Sequence, residues 1–216
     1  MENVDLDVMR KLSYGLFVLT SRDSQKDNGC IVNVSAQLTS TPLRIMIAVN
    51  KGNLTHDLIM ESNLFNLNVL TEATPMEVLK HFGFQSGKLM DKFKSFSDCE
   101  RSKNGLLYLN RYSCGFMSGT VVQKVDLVTH TMFIADVSEA RVLSEESPLT
   151  YTYYHKYTKL GVSPSVATPA AEMAETPRKG KWVCEICGYE YEGDEVPDDF
   201  VCPICSHGKE AFTLQG

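Results

Sequence analysis

Two Cys-x-x-Cys pairs, Cys184-Glu185-Ile186-Cys187 and Cys202-Pro203-Ile204-Cys205, stand 14 residues apart near one end of the chain. Four thiolates on two such knuckles close a tetrahedral all-sulfur site, the arrangement by which proteins hold zinc or a single iron ion. Spacing alone admits either metal. The two imply different functions, since iron would carry electrons and zinc would only hold a fold.

The remaining composition narrows the class. At 216 residues the chain has room for one sizeable domain and a small one, and 43% hydrophobic with 22% charged residues is ordinary globular usage. A net charge of −6 argues against nucleic acid as the main partner, because neutralising phosphates needs basic surface. No apolar run reaches about 18 residues, so no membrane-spanning helix is expected. The opening MENVDLDVMRKLSYG lacks the basic-then-apolar pattern of a secretory signal, and a cytoplasmic protein is expected. Of seven cysteines the knuckles take four, which leaves Cys30, Cys99 and Cys114 as reduced, packed thiols.

Three parts are expected. Residues 1–161 carry strand-like text: Tyr14–Ser21, Ile31–Leu38, the nearly continuous apolar Leu43–Val49, and Phe65–Leu70 alternating like a half-buried strand. Asp27-Asn28-Gly29 and Ser40-Thr41-Pro42 mark turns between them. Leu54–Ser62 reads as a helix capped by Asn53. Thr74–Phe82 reads as another, with Thr74 as N-cap, Pro75 at the first helical position and Glu77 completing a capping box. From Gly115 to Leu143 two long strands follow. Many strands with two or three short helices suggest a closed or nearly closed antiparallel barrel. Residues 162–179, rich in Ala, Pro, Thr, Ser and Glu, cannot bury enough apolar surface to fold and read as a flexible linker spanning roughly 20–25 Å. Residues 180–216 form the metal module.

That module holds five aromatics, Trp182, Tyr189, Tyr191, Phe200 and Phe212, enough for a miniature core that shields a metal from water. Eight acidic residues against Lys181 and Lys209 suit docking to a basic redox partner. The string WVCEICGYEYEGDEVPDDFVCPICSHGKEAF resembles rubredoxin, and its short inter-knuckle segment is nearer to the rubredoxin-like domain of rubrerythrins. The resemblance implies one iron ion on Cys184, Cys187, Cys202 and Cys205. The family's glycine after each knuckle is Gly188 at the first, while Ser206 and His207 follow the second.

A one-electron iron centre needs a source of single electrons, and a flavin converts the hydride of a nicotinamide into single electrons. No Gly-x-Gly-x-x-Gly follows a strand, which argues against a Rossmann site. Instead, Tyr14-Gly15-Leu16-Phe17-Val18-Leu19-Thr20, Asn28-Gly29, Thr39-Ser40-Thr41-Pro42, Val49-Asn50-Lys51-Gly52-Asn53-Leu54-Thr55-His56 and Phe65-Asn66-Leu67-Asn68-Val69-Leu70 together resemble the flavin reductase family with its FMN-binding split barrel. The resemblance implies an FMN site at Asn33, Val34, Ser35, Thr39 and Ser40. It extends the site to Asn50, Lys51, Asn53, Leu54 and Thr55, with Lys51, Asn53 and Thr55 on the phosphate. A cation, a hydroxyl, an amide and helix N-terminal N–H groups would converge there on a dianion. Phe82 would border the flavin, and Lys92 is a candidate for its ring edge or phosphate. His130 and His155 are the catalytic candidates: His130 falls where the family often has a histidine in its penultimate barrel strand, and His155 could reach the nicotinamide side. The plainer alternatives are capping by Asn53 and Thr55, a turn at Asn33, a surface Lys92 and packing histidines.

The two halves together resemble the high molecular weight rubredoxins: mainly β, an FMN-binding split barrel with peripheral helices, followed by a rubredoxin-like four-cysteine domain. That implies an NAD(P)H-dependent reductase passing electrons from FMN to its own iron and on to a flavodiiron protein or other acceptor, and a homodimer. Two rivals stand beside it: a flavin or ferric reductase with a structural zinc ribbon, and a non-enzymatic ligand-binding barrel whose ribbon recruits a partner.

Overall fold

The computed structural model describes residues 6–159, 181–184, 189–193, 195–198, 200–202 and 208–215. The chain divides into two units, Met1–Ser163 and Pro164–Gly216. The expected linker 162–179 lies outside the described residues, as do Cys187, Cys205, Gly188, Ser206 and His207. Among the described residues no helix is long and apolar enough to cross a membrane.

In the first unit seven strands form one antiparallel sheet. They are β1 (Phe17–Arg22), β2 (Asp27–Val32), β3 (Ser35–Ser40), β4 (Leu43–Asn50), β5 (Leu64–Leu70), β8 (Ser113–Leu127) and β9 (His130–Val142), in the order β2-β1-β5-β8-β9-β4-β3. The two edge strands, β2 and β3, are consecutive in the chain and only Asn33 and Val34 join them. The sheet must therefore curl until its edges meet at these two residues, and Ala48 donates its N–H to Val34 O at 3.2 Å, which extends the β3–β4 ladder into that junction. The expected single strand Ile31–Leu38 is thus two strands on opposite edges of a split barrel.

Alternation along the strands fills the barrel. Ile45, Ile47 and Val49 of β4 and Phe133 and Ala135 of β9 point inward with Leu19, Phe65 and Leu67. Gly119 is forced by this packing, since a Cβ there would lie 2.4 Å from the Phe65 ring. Gly119→Ala should destabilise the first unit by about 1–3 kcal/mol, read as a lowered urea midpoint. Contrary to the half-buried expectation, β5 is buried on both faces. Asn66 and Asn68, on its outer face, are covered by the segment that carries β6 (Cys99–Arg101) and β7 (Leu107–Leu109). The Asn66 amide donates to Ser102 Oγ at 2.8 Å and accepts from Ser118 Oγ at 2.8 Å, while Asn68 bridges Val18 O and Leu109 N.

Helix α1 spans Leu54–Ser62 as expected. Helix α2 runs Met76–Gly83, one position later than its capping-box reading. Pro75 is its N-cap, and Thr74 donates its hydroxyl to Tyr112 O instead. Asp27-Asn28-Gly29 is not a turn but part of β2. The turn before it is made by Asp23, whose carboxylate accepts from the N–H groups of Gln25 and Lys26, both at 2.7 Å. Those two bonds hold its carboxyl below the usual aspartate range. A short helix α3 (Tyr151–Tyr153) runs into a π-helical turn, Tyr154–Thr158.

The second unit has a three-stranded sheet, with β10 (Lys181–Cys184) between β11 (Glu190–Glu192) and β12 (Phe212–Gln215). Its core is Cys184, Val196, Cys202, Ala211 and Phe212, with Trp182, Tyr189, Tyr191 and Phe200 packed against it.

Candidate functional site

The sheet register gathers most of the expected site at one end of β4. Ser35 pairs with Ile47, so Asn33 and Val34 lie beside Ala48–Asn50. Asn50 in turn pairs with His130 at the start of β9. The turn Asn50-Lys51-Gly52-Asn53 leads from there into α1. Asn50 Oδ1 accepts from Gly52 N at 2.8 Å, and Asn53 N and His56 N close the next two bonds, to Asn50 O and Asn53 O. Asn53 is extended (φ −76°, ψ 135°) in the N-cap position, but its side chain makes no capping bond. The first-turn N–H groups of an α-helix have no acceptor within the helix, so those of Leu54 and Thr55 remain available to an anion.

Lys51 stands beside this terminus, with its ammonium on both oxygens of Asp126 at 2.8 and 2.7 Å and its N–H on Thr129 O at 3.0 Å. The Lys51 contact keeps Asp126 well below the usual carboxylate range. Asp126 also accepts from Val128 N at 2.7 Å, which pins the tip of the β8–β9 hairpin. Val128 sits there at φ 67°, a left-handed conformation that strains a β-branched residue. His130 follows, half-buried, with Nδ1 hydrogen-bonded to Thr129 Oγ1 at 2.9 Å; burial lowers its pKa, which favours the neutral ring at pH 7.

Four expected residues stand differently. The Thr55 side chain is fully buried, and its hydroxyl accepts from Asn28 Nδ2 at 2.9 Å; it faces the barrel, and only its backbone N–H is offered to an anion. Lys92 is 2% exposed, and its ammonium donates to Gly29 O and Phe82 O, each at 2.8 Å. It is an internal tie between β2 and the C-terminal end of α2 rather than a ring-edge or surface lysine. Burial pushes its pKa down to about 8, against a smaller opposing effect of the neighbouring Cys30 thiol. Phe82 is buried as well, in a cluster with His81, Phe93 and Phe96, and packs over Gly29. His155 lies among Tyr151 and Tyr154, with ring centroids 4.4 and 5.0 Å away.

Thr39 and Ser40 are exposed at the far end of β3, opposite Arg44 and Leu43. At about 3.3 Å per residue they stand roughly 16 Å along the strand from Ser35. Sequence reasoning missed His56. It is 8% exposed, its Nδ1 is hydrogen-bonded to Asp57 Oδ1 at 3.1 Å, and its Nε2 to Thr131 Oγ1 at 2.9 Å, tying the first turn of α1 to β9.

In the second unit Cys184 and Cys202 are both fully buried, against Phe212 and Ala211. Cys184 N donates to Tyr189 O at 2.8 Å, which fixes the strand end that carries the first thiol. Two buried thiols, one from each knuckle and walled by aromatic rings, fit a soft, water-shielded metal.

Residues 9–161 match the flavin reductase like domain family, and residues 182–213 match the rubrerythrin, rubredoxin-like domain. A "High molecular weight rubredoxin" of Moorella thermoacetica is 36% identical over 97% of this chain and 99% of its own length. A "Ferric-chelate reductase (NAD(P)H)" of Archaeoglobus fulgidus is 35% identical over 76% of this chain and 96% of its own. Among solved structures the NADH:FAD oxidoreductase of Streptomyces globisporus C-1027 superposes with a TM-score of 0.62 at 18% identity, over 69% of this chain and 92% of that one, which shows a shared fold. The chain thus belongs to the flavin reductase-like family, in the two-part arrangement of the high molecular weight rubredoxins, with a rubredoxin-like domain following in sequence.

Proposed function

We propose that the chain is an NAD(P)H-dependent flavoprotein reductase: FMN on the barrel passes electrons to one iron held by Cys184, Cys187, Cys202 and Cys205, and from there they go to an external acceptor. A flavodiiron protein reducing O2 or NO is the acceptor that the family resemblance favours. The observation that carries the reading is the uncapped N-terminus of α1 beside Lys51, at the seam where the half-buried polar residues Asn33 and Ser35 meet Asn50 and His130. When bound, FMN would supply the change from hydride to single electrons, and thiolate-held iron would supply a one-electron store.

The chain's own residues do the rest. The N–H groups of Leu54 and Thr55 and the Lys51 ammonium would hold a phosphate dianion, with Lys51 exchanging part of its contact to Asp126. Asn33, Val34 and Ser35 line the seam, where backbone groups can orient a flat ring. His130, kept neutral by partial burial, adds no charge near the anion. Hydride transfer to a flavin depends mainly on stacking and distance, so neither His130 nor His155 is required as an acid or base. A homodimer belongs to the same reading, and exposed Leu38, Leu43, Leu127 and Val128 on the β3–β4 and β8–β9 hairpins offer it apolar surface.

The test is a visible spectrum of the purified protein before and after anaerobic NADH. A red-brown sulfur-to-iron absorption over a flavin spectrum, both bleached, is the expected result. Lys51→Ala should weaken FMN binding by about 10–100-fold, the loss of one charge-assisted contact, read by flavin fluorescence. A second reading is direct reduction of a ferric chelate by the barrel above a structural zinc ribbon. It draws on the ferric-chelate reductase, which matches only 76% of this chain. Stoichiometric zinc, with only the flavin bleached, would decide for it.

A further inference from the structure

Asn28 is the second residue of β2, 1% exposed. Its Nδ2 donates to Thr55 Oγ1 at 2.9 Å, while its Oδ1 is buried with no hydrogen-bond partner among the described residues. A buried amide that leaves one half unmatched is unfavourable, so its orientation is imposed from outside. The imposing element is the strap of residues 84–98. A Cβ on Gly87 would lie 2.2 Å from Asn28 Oδ1, so only glycine lets the strap close onto the amide.

The strap is held on three sides. Lys26 Nζ donates to Gly87 O at 2.6 Å and to Met90 O at 3.1 Å. Lys92 ties it to Gly29 O and Phe82 O, and Lys88 stands 3.5 Å from Asp57 on α1. Thr55 is the second residue of α1, and its N–H is one of those without an acceptor in the helix. Asn28 and the His56–Thr131 bond are therefore two separate anchors on one turn, from β2 and from β9.

We propose that Asn28 is a positioning residue for the anion site. Pressed by Gly87, its amide fixes Thr55 and so aims the first-turn N–H groups of α1 at a phosphate monoester. The proposal rests on the phosphate reading given above. Asn28 itself touches no ligand.

FMN and riboflavin differ by the phosphate alone, so the ratio of their Kd values isolates the phosphate contribution. Both would be titrated against the full-length apoprotein by fluorescence quenching. Asn28→Ala should weaken FMN about 10-fold and riboflavin less than about 2-fold, as loss of one aligned polar contact predicts. Thr55→Val, isosteric and without the acceptor, should do the same, Thr55→Ser should restore the ratio, and the Asn28→Ala/Thr55→Val pair should be no worse than either alone. A general loss of stability would weaken both ligands alike and leave the ratio unchanged. If Lys51→Ala raises the FMN-to-riboflavin Kd ratio while Asn28→Ala and Thr55→Val leave it unchanged, the positioning role is overturned. If Lys51→Ala also leaves it unchanged, the phosphate reading itself fails and takes the proposal with it.

Discussion

Cys202→Ser protein is expected to purify yellow instead of red-brown, with flavin that NADH still bleaches and with little bound iron. Cys202 is fully buried among Val196, Ala211 and Phe212, so no outside group can substitute for the missing sulfur. A serine hydroxyl is a hard donor that stays protonated at pH 7, and iron in an all-sulfur site prefers thiolate. Disturbing a mere neighbour of a metal ligand lowers metal affinity about 10–100-fold, so loss of a ligand should exceed that. Reduction of the external acceptor should fall by at least about 100-fold, while NADH consumption with free flavin continues. Metal analysis, the visible spectrum and the two assays check this together. Residues 180–216 are too few to fold on apolar burial alone, so the variant's second unit should also become protease-sensitive. Acceptor reduction at the normal rate would refute the relay.

Lys92→Met should destabilise the first unit in a pH-dependent way. The side chain bridges two buried carbonyls, Gly29 O and Phe82 O, and methionine leaves both without that donor, at about 1–3 kcal/mol each. Opposing this, a buried ammonium is penalised by desolvation, which is why its pKa falls to about 8 from 10.5. Between those values the unfolded chain binds a proton that the folded one does not, so unfolding free energy rises with pH across that window. Below pH 8 both states are charged and the penalty is fully present. Above it the neutral amine still has two N–H groups for two carbonyls. The stability lost in Lys92→Met should therefore grow by up to about 3 kcal/mol from pH 7.5 to 10.5. Urea titrations of both proteins across that range read it. Cys30, whose thiol is pushed up by burial beside Lys92, is present in both and largely cancels in the difference.

What the sequence revealed and what it hid follow from range. Helix α1 and the strands β4, β5, β8 and β9 were readable because their periodicity is local. The proposed anion site is composed of chain neighbours, Lys51, Asn53 and the start of α1, so its grouping was legible as well. The side-chain partners of Lys92, Phe82 and Thr55 were not legible because they lie far away in the chain: Gly29 for Lys92, the aromatic cluster under the strap for Phe82, Asn28 for Thr55. Asn28-Gly29 has turn composition, yet here the asparagine reaches across to a helix and the glycine leaves room for a ring. Asn66 and Asn68 look like a solvated strand face until the segment from Ser102 to Leu109 is folded over them. No pattern in a single sequence announces such cross-chain partners.

The seam between β2 and β3 also orders events in time. The β1–β2, β3–β4 and β8–β9 pairs are hairpins of neighbouring strands, whereas β4 meets β9 across 92 residues at Arg44 and Asp136. Loop-closure entropy delays pairings of that separation, so the rolled sheet shuts after its hairpins exist. Asn33 and Val34 acquire their places only in that last act, and they line the pocket proposed for the flavin. A ligand that recognises the shut form alone stabilises it in proportion to the logarithm of its concentration over Kd. The fraction of chains held in the shut form would then follow the supply of flavin.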